Sequence, residues 1–198
     1  MKKERKSENY RKTSETEISC KINIDGKGQS DINTPIPFMN HMLEQISKHS
    51  YIDLFVKCSG DVEIDAHHTV EDLGWCIGEA VNNALLNKAG IYRFASLSLP
   101  MDETLTSCSL DVSGRPWLEW RVILPNEKIG GVDSEIFQEF FRAFAQSAKM
   151  TIHIENKYGN NAHHIIESCF KVLAVCLRNS VYVMPRNKDI IPSTKGVI

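Results

Sequence analysis

From Glu17 the chain alternates apolar and polar positions, EISCKINI, so Ile18, Cys20, Ile22 and Ile24 share one face and predict a strand. Asp25 and Gly26 then signal a turn, which predicts that the strand folds back into a second short one as a hairpin. Beyond Pro37 the period changes. Phe38, Met42, Leu43 and Ile46 recur at helical spacing, and YIDLFVKCS follows as a strand closed by Gly60 and Asp61. The stretch DAHHTVEDLGWCIGEAVNNALLNKAG predicts a helix ended by Gly90. From Tyr92 to Leu124 short β-like runs such as TSCSLDVSG and PWLEWRVIL lead into a polar loop, PNEKIGGVDS.

The earlier order then returns. SEIFQEFFRAFAQSAK reads as a helix, MTIHIEN as a strand, KYGNNA as a loop and HHIIESCFKVLAVCLRNS as a helix that opens on paired histidines. Both parts of the chain therefore run helix, strand, loop, and a helix headed by H-H-x-x-E, which predicts an internal duplication. The expected organisation is a disordered arm over residues 1–13, half-domains at 14–90 and 91–185, and a C-terminal tail at 186–198. The two halves would share one core and form one domain.

Composition narrows the function. The 198 residues are 42% hydrophobic and 24% charged, ordinary for a chain that buries a core, and the formal net charge of -2 offers no bulk attraction to nucleic acid or anionic lipid. Six cysteines are scattered with no C-x-x-C pair, as expected for reduced thiols of a cytoplasmic protein. No apolar segment has the length of a membrane span, and the charged start MKKERKSENYRK has no apolar stretch after it. Nucleic acid and membranes are therefore not expected partners.

Only seven histidines are present, and four of them lie in DAHHTVED and NAHHIIES. On a helix, neighbours point about 100° apart whereas residues three or four apart share a face. Glu71 therefore lies over both His67 and His68, while the two imidazoles diverge, which suits two ions better than one. His163, His164 and Glu167 repeat the triplet. In the helix before each motif, His41 and Glu139 hold matching places and are candidates to complete the shells. His153 matches Asp53 of the first half and reads as structural, and His49 reads as a helix-end residue. A purely nitrogen and oxygen ligand set fits Mn²⁺, Fe²⁺, Ni²⁺ or Zn²⁺ better than a soft metal, and six-coordination with open positions would favour Mn²⁺. Anion-binding candidates are Arg93, Arg115, Lys171 and the tail PSTKG, where Ser193, Thr194 and Lys195 precede a permissive Gly196. There is no Walker motif and no G-x-G-x-x-G, so nothing supports nucleotide binding.

Taken in order, IPFMNHMLEQI, DAHHTVEDLG, PMDETL, DVSGRPWL, EFFRAFA, NNAHHIIESCFKVLA and PSTKG resemble the imidazoleglycerol-phosphate dehydratases of histidine biosynthesis, from about Glu15 to Gly196. The resemblance implies an α+β fold of duplicated α/β half-domains, with a helical layer packed on mixed four-stranded sheets in the manner of a ribosomal-protein fold. It implies a hydro-lyase that converts D-erythro-imidazoleglycerol phosphate to imidazole acetol phosphate with two Mn²⁺ ions per site. The route would pass through an imidazolate and a diazafulvene-like intermediate. It implies a homo-oligomer, a cage of 24 subunits with sites at subunit interfaces.

Carried over residue by residue, the metal ligands would be His41, His67, His68, Glu71, His163, His164 and Glu167. Glu139 stands where some members carry histidine. Arg93, Arg115, Ser193, Thr194 and Lys195 would hold the phosphate, and Gln45 and Lys171 would line the substrate pocket. Glu15 and Glu167 would be the acid/base carboxylates, with His41 and Lys171 beside the reacting atoms.

Overall fold

The computed structural model describes residues 4–198, so the expectation for residues 1–3 lies outside the described residues. A unit of three strands, a helix, a strand and a helix occurs twice. The first contains β1 (Lys6–Lys12), β2 (Thr16–Asn23), β3 (Ser30–Asn33), α1 (Pro37–Ser50), β4 (Asp53–Gly60) and α2 (His67–Ala84). In the second, β5 (Phe94–Met101), β6 (Thr104–Asp111) and β7 (Trp117–Arg121) are followed by a small hairpin, β8 (Lys128–Ile129) and β9 (Val132–Asp133). The unit closes with α3 (Ile136–Ala148), β10 (Thr151–Tyr158) and α4 (Ala162–Val181).

The two sheets have the same topology, β1-β2-β4-β3 and β5-β6-β10-β7. In each, an antiparallel hairpin pairs with the inner strand and a parallel edge strand lies beyond it. Both inner hairpin strands alternate strictly, with Ile18, Cys20 and Ile22 buried on β2 and Cys108 and Leu110 on β6. The mixed sheets and four helices constitute the α+β fold expected from the sequence.

Three expectations are corrected. Asp25 and Gly26 do turn the chain, but β2 makes its hairpin with β1, whereas β3 crosses over to pair in parallel with β4. The Asp53 carboxylate accepts the N–H groups of Lys27 at 2.8 Å and Gln29 at 3.0 Å, so the turn is tied across the end of β4. Residues 6–12 are an edge strand rather than a disordered arm. Their face toward α2 is polar: Ser7 and Asn9 donate to the carbonyls of Ala80 and Cys76, and Arg11 pairs with Asp72 at 2.7 Å. Without an apolar stripe, period-two reading has nothing to find. The first helix of the H-H-x-x-E pair also stops at Ala84, before Gly90, because Leu86 and Lys88 adopt positive φ.

The helices cover both sheets and pack on each other, α1 against α4 and α2 against α3. Gly74 faces the carbonyl of Phe140, and Gly78 faces that of Phe144, so α2 and α3 run side by side with their backbones in near contact. Phe137, Phe140, Phe141, Phe144 and Phe170 are fully buried in a cluster shared by both halves. At about 1.5–3 kcal/mol for each large apolar side chain buried, this cluster joins the repeats into one core. The packing also leaves the N-terminal ends of α2 and α4, where the paired histidines lie, at the surface.

Candidate metal and substrate site

Asn161 caps α4: its side-chain oxygen accepts the N–H of His163 at 2.9 Å and of His164 at 3.4 Å. The capped turn sets the two imidazoles nearly perpendicular, with ring centroids 6.2 Å apart, and the pair at the start of α2 repeats this at 6.1 Å. Neighbouring histidines thus diverge as helix geometry requires. Glu167, one turn on, is only 5% exposed. Its Oε2 lies 3.0 Å from His163 Nε2 and 3.3 Å from His41 Nε2, and its Oε1 lies 2.7 Å from Lys171 Nζ. Burial pushes this carboxyl up, but Lys171, His163 and His41 outweigh burial and hold it below the usual carboxylate range.

His41 reaches this point because α1 packs on α4, and the ligand atoms of His41, His163 and Glu167 lie within 4.8 Å of one another. Among the described residues no other such group of three forms. Gln45 is 3.4 Å from His41 Nδ1 and also meets His49, which places it beside a candidate ligand. Lys171 sits between Glu167 and Met101. Phe38 packs edge-on against His163, with ring centroids 5.2 Å apart.

The first triplet is looser. His67 Nε2 is 4.0 Å from Glu71, and His68 Nδ1 is 3.2 Å from Asp61 and 4.0 Å from Glu15. The hydrogen bond that Asp61 accepts from the ring raises the His68 pKa. Glu15, which the sequence alone would leave on the surface, therefore stands beside a candidate ligand. Glu139 does not join either triplet; it pairs with Arg142 one turn along α3, at 2.7 Å. Within one chain the structure brings His163 and Glu167 of the second triplet together with His41, leaves His164 on Glu103, and gives the first triplet no matching partner from α3.

Of the anion-binding candidates, Arg93, Arg115 and the tail gather at the Asp111 end of β6, whereas Lys171 stays with Glu167. Arg93 grips Asp111 through two nitrogens, at 2.7 and 3.2 Å, and donates to the carbonyl of Pro192 at 2.8 Å. Arg115 is 3.6 Å from the same carboxylate and largely exposed. The tail is anchored there: Lys195 N–H donates to Ser193 Oγ at 3.2 Å, and Gly196 with positive φ closes a turn onto Ser193. Thr194 lies within this turn.

Sequence reading passed over Asp61, Glu103 and Asp111, the three carboxylates that hold these groups. Glu103 Oε2 lies 2.7 Å from His164 Nδ1, and its Oε1 accepts the N–H groups of Asn160 and Asn161. The hydrogen bond from His164 is the main reason its carboxyl is pulled down to about 2, and the same bond raises the pKa of His164. A signal for Glu103 exists in the chain. E-T-x-x-S-C occurs twice, at 15–20 and 103–108, so Glu15 and Glu103 are repeats of one position.

The sequence model of the family described as imidazoleglycerol-phosphate dehydratase matches residues 34–177. A curated imidazoleglycerol-phosphate dehydratase from Agrobacterium fabrum is 51% identical over 195 residues, 98% of this chain and 98% of that one. The crystal structure of the Staphylococcus aureus enzyme of that name superimposes with a TM-score of 0.82 at 35% identity, covering 90% of this chain and 99% of that one. For the Pyrococcus furiosus enzyme the TM-score is 0.83 at 31% identity, with 96% and 99% covered.

Proposed function

Because the chain belongs to the imidazoleglycerol-phosphate dehydratase family and is therefore a hydro-lyase, we propose that its site dehydrates D-erythro-imidazoleglycerol phosphate with two Mn²⁺ ions held by the histidine and carboxylate triplets. The reaction serves histidine biosynthesis. The observation that carries the metal reading is the buried Glu167 carboxylate facing two imidazole nitrogens, with His41, His163 and Glu167 within ligand reach of one another.

The donor set fits the ion. It contains imidazole nitrogen and carboxylate oxygen and no thiolate, which suits Mn²⁺. Both triplets sit at helix N-termini, whose partial positive charge opposes a cation, and carboxylates at Glu71, Asp61, Glu167 and Glu103 offset it. The perpendicular imidazoles of each pair support one ion per histidine. The proposed ligands are His41, His67, His68, Glu71, His163, His164 and Glu167. Glu139 would join them after leaving Arg142.

The substrate proton to be removed has no neighbouring carbonyl, so the substrate's own imidazole ring must accept the electrons. Bound Mn²⁺ supplies the positive charge that makes this ring a competent electron sink. The protein's residues do the rest. Arg93, Arg115, Ser193, Thr194 and Lys195 fix the phosphate, and Gln45 orients the ring end. Glu15, half-exposed beside His68, moves a proton at the reacting carbon, while Lys171 keeps Glu167 ionised for its part in the proton transfer.

The two triplets do not meet within one chain, which supports completion of each site by a second copy. We therefore read the active form as a homo-oligomer with sites between chains, and the family resemblance makes that assembly a cage of 24 subunits. Free, mostly buried thiols support residence in the cytoplasm. The decisive assay offers imidazoleglycerol phosphate to the Mn²⁺-loaded protein and follows the acetol product by absorbance. Product should appear, and exhaustive chelation should remove both turnover and the large particle in size-exclusion chromatography. No product from a loaded, assembled sample would overturn the proposal, and phosphate release without dehydration would favour a two-metal hydrolase instead. Lys195→Ala should raise KM about tenfold or more, consistent with loss of one charge-assisted hydrogen bond, and leave metal content unchanged. An unchanged KM would remove the tail from the phosphate site.

A further inference from the structure

The two hairpin glutamates occupy one duplicated position yet have different surroundings. Each immediately precedes the inner strand of its sheet, β2 or β6, in the repeat E-T-x-x-S-C. Each also approaches Nδ1 of the second histidine of a pair. Glu15 remains 4.0 Å from His68, whereas Glu103 closes to 2.7 Å on His164.

The loops between strand and helix account for the difference. In the first half the loop after β4 carries Asp61, whose Oδ2 takes the place at His68 Nδ1, at 3.2 Å. Its Oδ1 is buried with no hydrogen-bond partner, so the histidine is what the carboxylate serves. In the second half the corresponding loop is GNN, residues 159–161, with no carboxylate. Glu103 fills the vacant role and is locked there by two further bonds, from the N–H of Asn160 at 3.2 Å and of Asn161 at 2.9 Å. Each half thus puts one carboxylate on Nδ1 of its second imidazole by a different route. Only Glu15 is left without such a bond to a histidine.

We infer that Glu103 is the duplicated counterpart of Glu15, diverted from substrate chemistry to positioning His164: it accepts the Nδ1 proton and so keeps the Nε2 lone pair of that ring free for a metal ion. This rests on the reading of His164 as a ligand. A carboxylate on the far nitrogen of a ligating histidine fixes the tautomer and ring orientation, and losing one lowers metal affinity about 10- to 100-fold. The same contacts exclude Glu103 from acid/base work on the substrate, because both of its oxygens are engaged.

Glu103→Gln separates the positioning role from simple loop anchoring. The amide oxygen will face the two backbone N–H groups, since turning it away would leave two donors against a third. The amide NH₂ then faces Nδ1 and stabilises the tautomer whose proton is on Nε2. Mn²⁺ uptake by metal-stripped protein, read by electron paramagnetic resonance, should weaken 10- to 100-fold in E103Q while the metal-free Tm stays at the wild-type value. Glu103→Ala should lower both. E103Q that binds Mn²⁺ like wild type, or whose metal-free Tm falls as far as that of E103A, overturns the inference alone. Wild-type protein that takes up no Mn²⁺ overturns the metal reading and this inference with it.

Discussion

Glu167→Gln should lower kcat by roughly 10²- to 10⁴-fold, the range for loss of a positioned proton-transfer group, and should weaken Mn²⁺ binding as well. Glu167 has two oxygens and three neighbours: Oε1 faces Lys171 Nζ at 2.7 Å, and Oε2 faces His163 and His41 at 3.0 and 3.3 Å. Glutamine keeps the shape but has one acceptor. If its oxygen stays on Lys171, the NH₂ points at two imidazole nitrogens and competes with a metal for their lone pairs. If the amide flips, it sets a donor against an ammonium in a poorly solvated place. Either arrangement removes the negative charge on which the cluster depends. Steady-state kinetics over a range of Mn²⁺ concentrations would check this, and a variant within tenfold of wild-type kcat at saturating metal would exclude Glu167 from the chemistry.

The second large effect concerns stability and is a prediction of sign. Gly74 lies mid-helix in α2, where replacing glycine by alanine ordinarily gains up to about 1 kcal/mol. Here a Cβ would fall closer to the Phe140 carbonyl oxygen than real Cβ atoms come, and 3.2 Å from the Ala143 Cβ. A backbone carbonyl inside a helix cannot rotate away, so α2 and α3 must separate and the phenylalanine cluster behind them must loosen. Overpacking of this kind costs about 1–3 kcal/mol or more. Gly74→Ala should therefore lower Tm, by several degrees at about 2–4 °C per kcal/mol for a chain of this size. A raised Tm in thermal denaturation would show that the helix interface has slack. Because α2 begins with His67 and His68, the same variant should also displace the first triplet.

Much of this was legible from local pattern. The helical spacing of Phe38, Met42, Leu43 and Ile46 places one apolar stripe, and the alternation of Ile18, Cys20 and Ile22 places one buried face; both depend on neighbours in sequence. The i, i+4 relation of His163 and Glu167 and the divergence of adjacent imidazoles follow from helix geometry alone. Less legible was β1, because its inward face is made of Ser7, Asn9 and Arg11, and its stabilising contacts are hydrogen bonds to a helix some seventy residues away. The pairing of β3 with β4 was hidden for the same reason: a turn signal at Asp25 and Gly26 gives the place of reversal but not the strand that will receive the chain.

The sequence by itself determined the repeat, the two histidine pairs with their glutamates and the resemblance that names a reaction. Those features are periodic or contiguous, and periodicity is set by backbone geometry common to all chains. Beyond the i, i+4 contact of His163 with Glu167, only the tertiary structure decided which carboxylate meets which imidazole. That His41 joins His163 across α1 and α4, that Glu139 turns to Arg142, and that Glu103 binds His164 while Glu15 stands off from His68, are outcomes of helix packing and loop length. Hydrogen bonds demand contact within a few tenths of an ångström between residues separated by tens of positions, and spacing along a chain carries no such distance.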